Sequence, residues 1–282
     1  MNLNKIYLSL KTKFYNSKFY WTKLRRSSIE FAWWGLRSPS AAGEWKKARK
    51  HEVSFYKTLF SQFEVTSVFD IGANVGDKTE IFLSAGCTRV QSVDPDPRCF
   101  ELLNWRFGHL SCVSIANVGV GSSVSVMTFF RFGNAHPLNT FKSAWANDLV
   151  AGKTRFGSKI PEPEEVAISI QTLANLTASS FIPDYIKVDV EGNELEAVRG
   201  LEVLPKVLSL EFNLPEFRDE FLSTVSLLVQ IDQTVRFKIL TETDDGFLQD
   251  DNGEMDASAV IEMVDTNQLK YFELFCFSNR SV

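Results

Sequence analysis

The stretch VFDIGANVGD, residues 68–77, constrains the fold of this chain more than any other. An apolar strand with Asp70 near its end runs into a turn that carries Gly72, Asn74 and Gly76, and a helix-compatible segment follows. Glycine allows the backbone to bend sharply or to approach a ligand closely. A strand, a glycine turn and a helix in this order present backbone N–H groups to a nucleotide-like ligand in many α/β proteins. A glycine turn without any ligand is the alternative.

The composition is that of one α/β domain with an appendage. The chain has 282 residues, of which 44% are hydrophobic and 23% charged, enough to bury a substantial core. Its four cysteines have no CxxC spacing, and no signal-peptide pattern is present, so we expect buried free thiols and a cytoplasmic location. No apolar run is long enough to predict a membrane span.

The charge is distributed unevenly along the chain. Residues 1–50 contain 12 Lys and Arg against 2 Asp and Glu, whereas the remainder contains 18 against 33. The basic part also carries Trp33, Trp34 and apolar residues at helical spacing. Such a segment can lie on an anionic membrane surface, bind RNA, or dock on another protein surface, its own acidic domain included. We therefore predict a helical extension over residues 1–50, with peripheral membrane contact as one interpretation, and a main domain over residues 51–282.

From residue 65 onward, predicted strands alternate with predicted helices, which is typical of a parallel sheet. The strands are predicted at 67–71, 89–93, 112–116, 124–130, 166–170, 185–190, 207–211, 235–240 and 271–277, the last two as an antiparallel pair. The helices are predicted at 44–60 (after a break at 39–43), 78–85, 97–107, 193–203 and 216–231. An irregular excursion over 133–163 and an acidic insertion over 243–268 interrupt the alternation, and we expect them to select the substrate.

Polar residues follow the predicted strands, at the sheet edge where ligands bind in parallel sheets. Asp94 follows the second strand, 22 residues after Gly72. A carboxylate at this spacing can accept both ribose hydroxyls of an adenosine ligand. The alternative is a helix N-cap before Pro95, a role for which Asp96 competes. Asn117 follows the third strand, either as a contact to adenine or as a plain turn residue.

Charged residues gather at the end of strand 185–190. Alternation places Lys187, Asp189 and Glu191 on one side of the strand, which is costly unless they are paired or face a cleft. Glu211 ends the next strand, so the cluster indicates a site. The alternative is a Lys187–Asp189 ion pair with a helix start at Glu191. The three carboxylates could also hold a divalent cation, although we assign no metal ligand.

Five motifs occur in order: VFDIGANVGD, RVQSVDPDP, SIANVGVG, YIKVDVEGNELEAVRGL and LSLEFN. Together they resemble the FkbM family of S-adenosylmethionine-dependent methyltransferases over residues 65–213. The resemblance implies the class I methyltransferase fold, a Rossmann-like α/β fold whose seven-stranded, mostly parallel sheet has an antiparallel last strand. It also implies S-adenosylmethionine as the cofactor and a hydroxyl acceptor, on a sugar, a glycan or a natural-product scaffold.

The resemblance further implies roles for single residues. The residues implied to bind the cofactor are Asp70, Gly72, Asn74 and Gly76 at its amino-acid end, Asp94 at the ribose, and Asn117 and Val118 near the adenine. Asp189, also implied to bind the cofactor, and Glu191 are implied to line the junction between the cofactor and the acceptor. Two departures from the family pattern stand out. The family more often has Glu at position 94, and the segment 169–173 lacks the acidic residue that often follows its leucine.

Methyl transfer requires little of the protein, because the sulfonium already activates the methyl group. The enzyme must align the acceptor oxygen and accept its proton. Asp189 or Glu191 is predicted to be that base or to orient the hydroxyl, and His136 is the competitor because imidazole titrates near neutral pH. An exposed bystander is the alternative role for His136.

Two other functions fit parts of the sequence. A nucleic-acid methyltransferase would suit the basic N-terminal part. Enzymes of that kind that methylate amino groups usually carry a Pro-Pro-aromatic motif where this chain has DVEG at 189–192, and carboxylates there repel phosphates. We therefore expect no nucleic-acid partner. A non-catalytic cofactor-binding or scaffold protein is the other alternative, since a fold does not fix a function.

Overall fold

The computed structural model describes residues 38–133, 135–154, 157, 159–242, 248–249 and 253–278. The features predicted within residues 1–37, including Trp33 and Trp34, and part of the acidic insertion lie outside the described residues. Among the helices of the described part, none is long and apolar enough to cross a membrane.

The described residues form eight helices and eleven strands. The helices are α1 (Pro39–Gln62), α2 (Asp77–Ala85), α3 (Pro97–Phe107), α4 (Ser143–Ala151), α5 (Leu173–Ser179), α6 (Glu194–Arg199), α7 (Arg218–Ile231) and α8 (Ala257–Thr266). The strands are β1 (Ser67–Ile71), β2 (Arg89–Val93), β3 (Val113–Ala116), β4 (Gly119–Val120), β5 (Ser125–Arg131), β6 (Glu164–Gln171), β7 (Tyr185–Val188), β8 (Val207–Asn213), β9 (Arg236–Glu242), β10 (Leu248–Gln249) and β11 (Tyr271–Phe277).

The main sheet has the strand order β10-β9-β11-β8-β7-β1-β2-β3. Strands β3, β2, β1, β7 and β8 are parallel, and β11 is antiparallel to both β8 and β9. Apart from the two-residue edge strand β10, this is the predicted seven-stranded, mostly parallel sheet with an antiparallel last strand. In the sheet, β2 lies on one side of the adjacent pair β1 and β7, and β8 lies on the other, so the chain continues from β1 and from β7 toward opposite edges of the sheet. The carboxyl ends of β1 and β7 therefore form the switch point where open α/β sheets bind ligands.

Helices cover both faces of the main sheet, and aromatic residues fill much of the core. On one face α1 and α2 pack through Tyr56 and Phe82, whose ring centroids lie 4.9 Å apart, and both contact Tyr185 of β7. On the other face α5 to α8 pack against the sheet, with Phe212 of β8 and Phe221 of α7 at 5.3 Å. Burial of these rings on both faces holds the carboxyl ends of the strands in fixed positions.

A second sheet of order β4-β6-β5 follows β3. The predicted excursion at 133–163 leaves this sheet at the end of β5, and the prediction that it is irregular is wrong in part, since it contains α4. Trp145 and Leu149 occur four residues apart on α4, so they share one face and pack with Phe217. The Trp145 and Phe217 rings lie 5.2 Å apart. The excursion is thereby fixed onto the main domain.

The predicted break at 39–43 is wrong. Helix α1 begins at Pro39, because proline is tolerated in the first turn of a helix, where its missing N–H would have no partner. The same helix continues through residue 50, at which we placed the domain boundary. The division into an extension and a main domain remains a prediction.

Candidate active site

A cavity of about 240 Å³ lies at the carboxyl ends of β1, β2, β7 and β8. It brings together eight residues that the sequence singled out. These are Gly72, Asn74, Asp94, Val118, His136, Asp189, Glu191 and Glu211. The strand ends, the glycine turn and the excursion thus meet at a single place in the fold.

Asp70 and Gly76, predicted to hold the cofactor, do not line the cavity. Asp70 is fully buried, and its Oδ2 accepts a hydrogen bond of 2.6 Å from the Thr79 hydroxyl of α2. Burial raises the pKa of the Asp70 carboxyl. At Gly76, φ is +82° and a Cβ would come within 2.5 Å of the Phe107 ring. Asp70 and Gly76 therefore pack against residues outside the cavity wall, and their contact with a cofactor remains a prediction.

Asp94 occupies the end of β2 as a buried carboxylate. Its Oδ2 accepts from the Asn74 N–H at 2.7 Å and its Oδ1 from the Asp96 N–H at 2.8 Å. Burial raises the pKa of Asp94 to about 7. The N-cap of α3 is Asp96, which accepts from the Arg98 N–H at 2.9 Å, so the capping alternative for Asp94 is wrong. Asn117 does not line the cavity, but its Nδ2 donates to the Asp94 carbonyl at 2.9 Å and shapes this wall.

Asp189, Glu191 and Glu211 line the same cavity and form an acidic cluster, with carboxylate oxygens within 4.8 Å of one another. The Lys187 Nζ lies 2.8 Å from Asp189 Oδ2, so the predicted ion pair is present. Tyr271 hydrogen bonds to Glu211. Burial, with the charge of Asp189, raises the pKa of Glu211 to about 8. The Glu211 carboxyl is therefore mostly protonated at neutral pH.

The acidic cluster has the oxygen donors that a divalent cation prefers. The Lys187 ammonium already neutralises part of its charge from the side of Asp189. Burial alone would lower the pKa of Lys187, but the charges of Asp189 and Glu211 raise it above its usual value. The cluster can therefore exist without a metal ion.

The loop after β7 departs from its prediction. The strand ends at Val188 rather than at residue 190, and α6 spans only Glu194–Arg199 rather than 193–203. The cause is Glu194, whose carboxylate accepts from the N–H groups of Val190 (3.1 Å) and Gly192 (3.0 Å) and bends the chain between them. Glu191 lies in that bend with φ +50°, so the predicted helix start at Glu191 is wrong.

Sequence reasoning missed Glu194 and Thr140. The glutamate lies within the motif YIKVDVEGNELEAVRGL, and an acidic residue two positions after a glycine turn was its available signal. No motif or spacing in the sequence pointed to Thr140. It is fully buried, and its hydroxyl donates to the Glu191 carbonyl at 2.8 Å. Both residues act on Glu191 rather than on the cavity directly.

His136 lies in the cavity wall and is half-buried, so it is not an exposed bystander. Its Nδ1 accepts from the Leu138 N–H at 3.2 Å, which places the ring proton of the neutral form on Nε2. Burial lowers the pKa of His136. The neutral imidazole therefore has its Nε2–H group available as a donor, and its role as a base remains a prediction.

The sequence matches a family model described as the Methyltransferase FkbM domain over residues 70–244. Among curated proteins, no sequence matches.

Several solved structures have a distantly similar fold. One is the plantazolicin methyltransferase BpumL in complex with a monoazolic desmethylPZN analog and SAH, with 12% identity over 98% of this chain and 99% of that chain, at a TM-score of 0.43. Another is an O-methyltransferase from Bacillus cereus in complex with SAH, with 10% identity, 92% and 96% coverage and a TM-score of 0.40. A third is the precorrin-6y C5,15-methyltransferase from Geobacter metallireducens, with 7% identity, 76% and 80% coverage and a TM-score of 0.37. These similarities are too weak to identify a substrate.

Proposed function

This chain belongs to the FkbM family of methyltransferases, and from that premise we propose that it transfers the methyl group of S-adenosylmethionine to a hydroxyl oxygen of a sugar or glycan. The observation that carries the proposal is the acidic cluster of Asp189, Glu191 and Glu211, which shares one cavity with Asp94. A carboxylate suited to bind the donor and a group of potential proton acceptors in one cavity are what methyl transfer to a hydroxyl needs.

The residues of the cavity fit S-adenosylmethionine. Each carboxylate oxygen of Asp94 accepts one backbone N–H and retains capacity for a ribose hydroxyl. Val118 and Phe141 offer an apolar wall for adenine. In the same cavity, the carboxylates of Asp189 and Glu191 would favour the cationic sulfonium.

When bound, S-adenosylmethionine supplies a methyl group that its sulfonium has already activated. The protein has two remaining tasks, orienting the acceptor hydroxyl and receiving its proton. Asp189 and Glu191 share these tasks in the proposal. The Lys187 ammonium fixes the Asp189 carboxylate, which suits it to orient a hydroxyl. Glu191 lies beside it as the partner that accepts the proton.

The test is transfer of a labelled methyl group from S-adenosylmethionine to a panel of neutral sugars and glycans. The proposal predicts a product that is stable to mild base, as a methyl ether is. Release of labelled methanol by base would indicate a carboxyl acceptor and would contradict the hydroxyl assignment. Glu191→Gln should lower kcat at least tenfold, whereas Arg218→Gln, which removes an exposed ion pair with Asp265 on α7 and α8, should leave it unchanged.

We also propose that the basic N-terminal part contacts an anionic membrane surface. In the described residues, Lys46, Lys47 and Lys50 are exposed on α1. Each basic residue near such a surface contributes about 1 kcal/mol. The full chain should float with phosphatidylcholine vesicles that contain phosphatidylserine and should remain behind with phosphatidylcholine alone. Deletion of residues 1–37, which leaves α1 intact, should weaken flotation, and combining it with Lys46/Lys47/Lys50→Gln should abolish flotation. Unchanged flotation of the combined variant would discard the idea.

A further inference from the structure

Glu191 adopts a backbone conformation that is unfavourable for its residue type. Its φ of +50° lies in the left-handed region, which non-glycine residues rarely occupy. Such a conformation persists only where the surrounding structure enforces it, and it concentrates at functional sites. The contacts around Glu191 therefore indicate what this conformation is for.

Four hydrogen bonds hold Glu191 in place. The Glu194 carboxylate accepts from the N–H groups on either side of it, those of Val190 and Gly192. The Asn213 Nδ2 donates to Glu191 Oε2 at 3.3 Å. The Thr140 hydroxyl donates to the Glu191 carbonyl at 2.8 Å. Glu194 lies in the motif YIKVDVEGNELEAVRGL and Asn213 lies in β8, whereas Thr140 lies in the excursion at 133–163.

Thr140 is itself anchored to the second sheet. Its N–H donates to the Phe130 carbonyl at 3.1 Å, and its carbonyl accepts from the Phe130 N–H at 2.8 Å. Both of its backbone groups are thus satisfied by β5, which leaves the hydroxyl to reach Glu191. Its hydroxyl oxygen also accepts from the Lys142 N–H at 3.0 Å. The side chain is fully buried and held in one orientation.

The other end of the same segment is attached to the donor side of the cavity. Asp96 Oδ2 accepts from the Ala135 N–H at 3.0 Å and from Asn139 Nδ2 at 3.3 Å. Asp96 is also the N-cap of α3, directly after the Asp94 wall. The segment between Ala135 and Thr140 therefore joins the Asp94 wall to the acidic cluster.

We propose that Thr140 is a positioning residue, which holds Glu191 in its left-handed conformation so that the Glu191 carboxylate faces the position of the transferred methyl group. The inference rests on the proposed function, since it assumes that the donor occupies this cavity. It assigns a role in the reaction to a residue that does not line the cavity.

Two ligands test this without knowledge of the acceptor. S-adenosylhomocysteine lacks the methyl group, and sinefungin carries an amine in its place. A carboxylate facing the methyl position should favour the cationic amine, so the ratio of the two dissociation constants reports on Glu191. Both are measured by calorimetry on the full chain. Thr140→Val removes the hydroxyl at nearly constant volume, Thr140→Ser retains it, and Thr140→Ala is a second variant that removes it.

Thr224→Val is the matched control. Thr224 is also fully buried, and its hydroxyl donates to the Glu220 carbonyl at 2.7 Å, but it lies on α7 away from the cavity. Thr140→Val should reduce the preference for sinefungin at least fivefold while S-adenosylhomocysteine binds within twofold of the wild type. Thr140→Ser and Thr224→Val should keep the preference. Glu191→Gln should lose it, and adding Thr140→Val to that variant should cause no further loss.

An unchanged preference in Thr140→Val and Thr140→Ala would overturn the inference, as would an equal weakening of both ligands. A preference that survives Glu191→Gln would overturn it as well, because Glu191 would then not face the methyl position. If the wild type binds neither ligand, the proposed function itself fails, and that result is distinct from all of these.

Discussion

A Cβ on Gly72 would come within 1.7 Å of the backbone carbonyl oxygen of Asp189. The two residues follow the paired ends of β1 and β7, where the Asp189 N–H donates to the Ile71 carbonyl at 3.0 Å. No side chain fits between these backbones. The glycine turn of VFDIGANVGD and the acidic motif after β7 are therefore one packed unit, and Asp189 reaches the cavity because residue 72 has no side chain.

Gly72→Ala should destabilise the fold more than Gly86→Ala. Both glycines have positive φ, +80° and +106°, but a Cβ on Gly86 would meet nothing within 4 Å. Gly86→Ala should therefore cost only the left-handed conformation, about 1 kcal/mol. Gly72→Ala adds overpacking against Asp189 and should cost about 3 kcal/mol in total. Urea denaturation measures both, and equal losses would show that the close approach does not exist.

At pH 8, above the pKa of about 7 of Asp94, Asp94→Asn should weaken the binding of S-adenosylhomocysteine about tenfold or more, because it removes a charged acceptor for ribose hydroxyls. Asp184→Asn is the control. Asp184 Oδ2 also accepts two backbone N–H groups, from Thr66 at 2.8 Å and Ser67 at 3.0 Å, but at the amino end of β1. It should lower stability and leave affinity unchanged. Equal affinities of the Asp94 variant and the wild type in calorimetry would show that Asp94 does not bind the ribose.

The free energy of unfolding should fall as the pH rises from about 4 to 7. Burial raises the pKa of Asp94 from 3.8 to about 7 and that of Glu194 from 4.5 to about 7. The folded state therefore binds more protons than the unfolded state in this window, and ionisation destabilises it. The Asp184 pKa is lowered from 3.8 to about 2, so its contribution is nearly constant above about pH 5, where the carboxyl is ionised in both states.

Calorimetric melting between pH 5 and 8 measures this dependence. Glu194→Gln cannot ionise and should show a shallower fall than the wild type, even though it loses one of its two backbone hydrogen bonds. A rise in melting temperature across this window, or the same slope in both proteins, would show that these carboxyls are not buried as described.

Removal of divalent cations should leave methyl transfer unchanged. The Lys187 ammonium lies 2.8 Å from Asp189 Oδ2 and already offsets part of the charge of the acidic cluster. Assays with EDTA and with added Mg²⁺ should therefore give the same rate. A strict requirement for Mg²⁺ would assign Asp189, Glu191 and Glu211 to a metal site instead.

Much of this fold follows from local sequence patterns. The alternation of apolar strands and helices predicts a parallel sheet, and the polar residue that follows each strand must then lie at one edge. Asp94 and Asp189 were predicted at the site for this reason, and Gly72 because a glycine turn follows the first strand. All three line the cavity. Their position depends only on strand direction and alternation, which short segments of sequence determine.

Other parts of the site depend on contacts between distant segments. Thr140 contacts Glu191 because the excursion pairs with β5 at Phe130 and passes beside the loop after β7. No periodicity in the sequence predicts this contact between distant segments. Motif spacing also cannot separate residues that line the cavity from those packed behind it, such as Asp70 and Gly76. The end of β7 was placed too late because a side chain, that of Glu194, competes there for the backbone N–H groups.

The structure of the complex with S-adenosylhomocysteine tests the central claim most directly. The account predicts the ligand in the cavity between the glycine turn and the excursion, with its ribose hydroxyls on Asp94 and its sulfur directed toward Asp189 and Glu191. A ligand bound elsewhere, or one whose sulfur points away from the acidic cluster, would contradict the account.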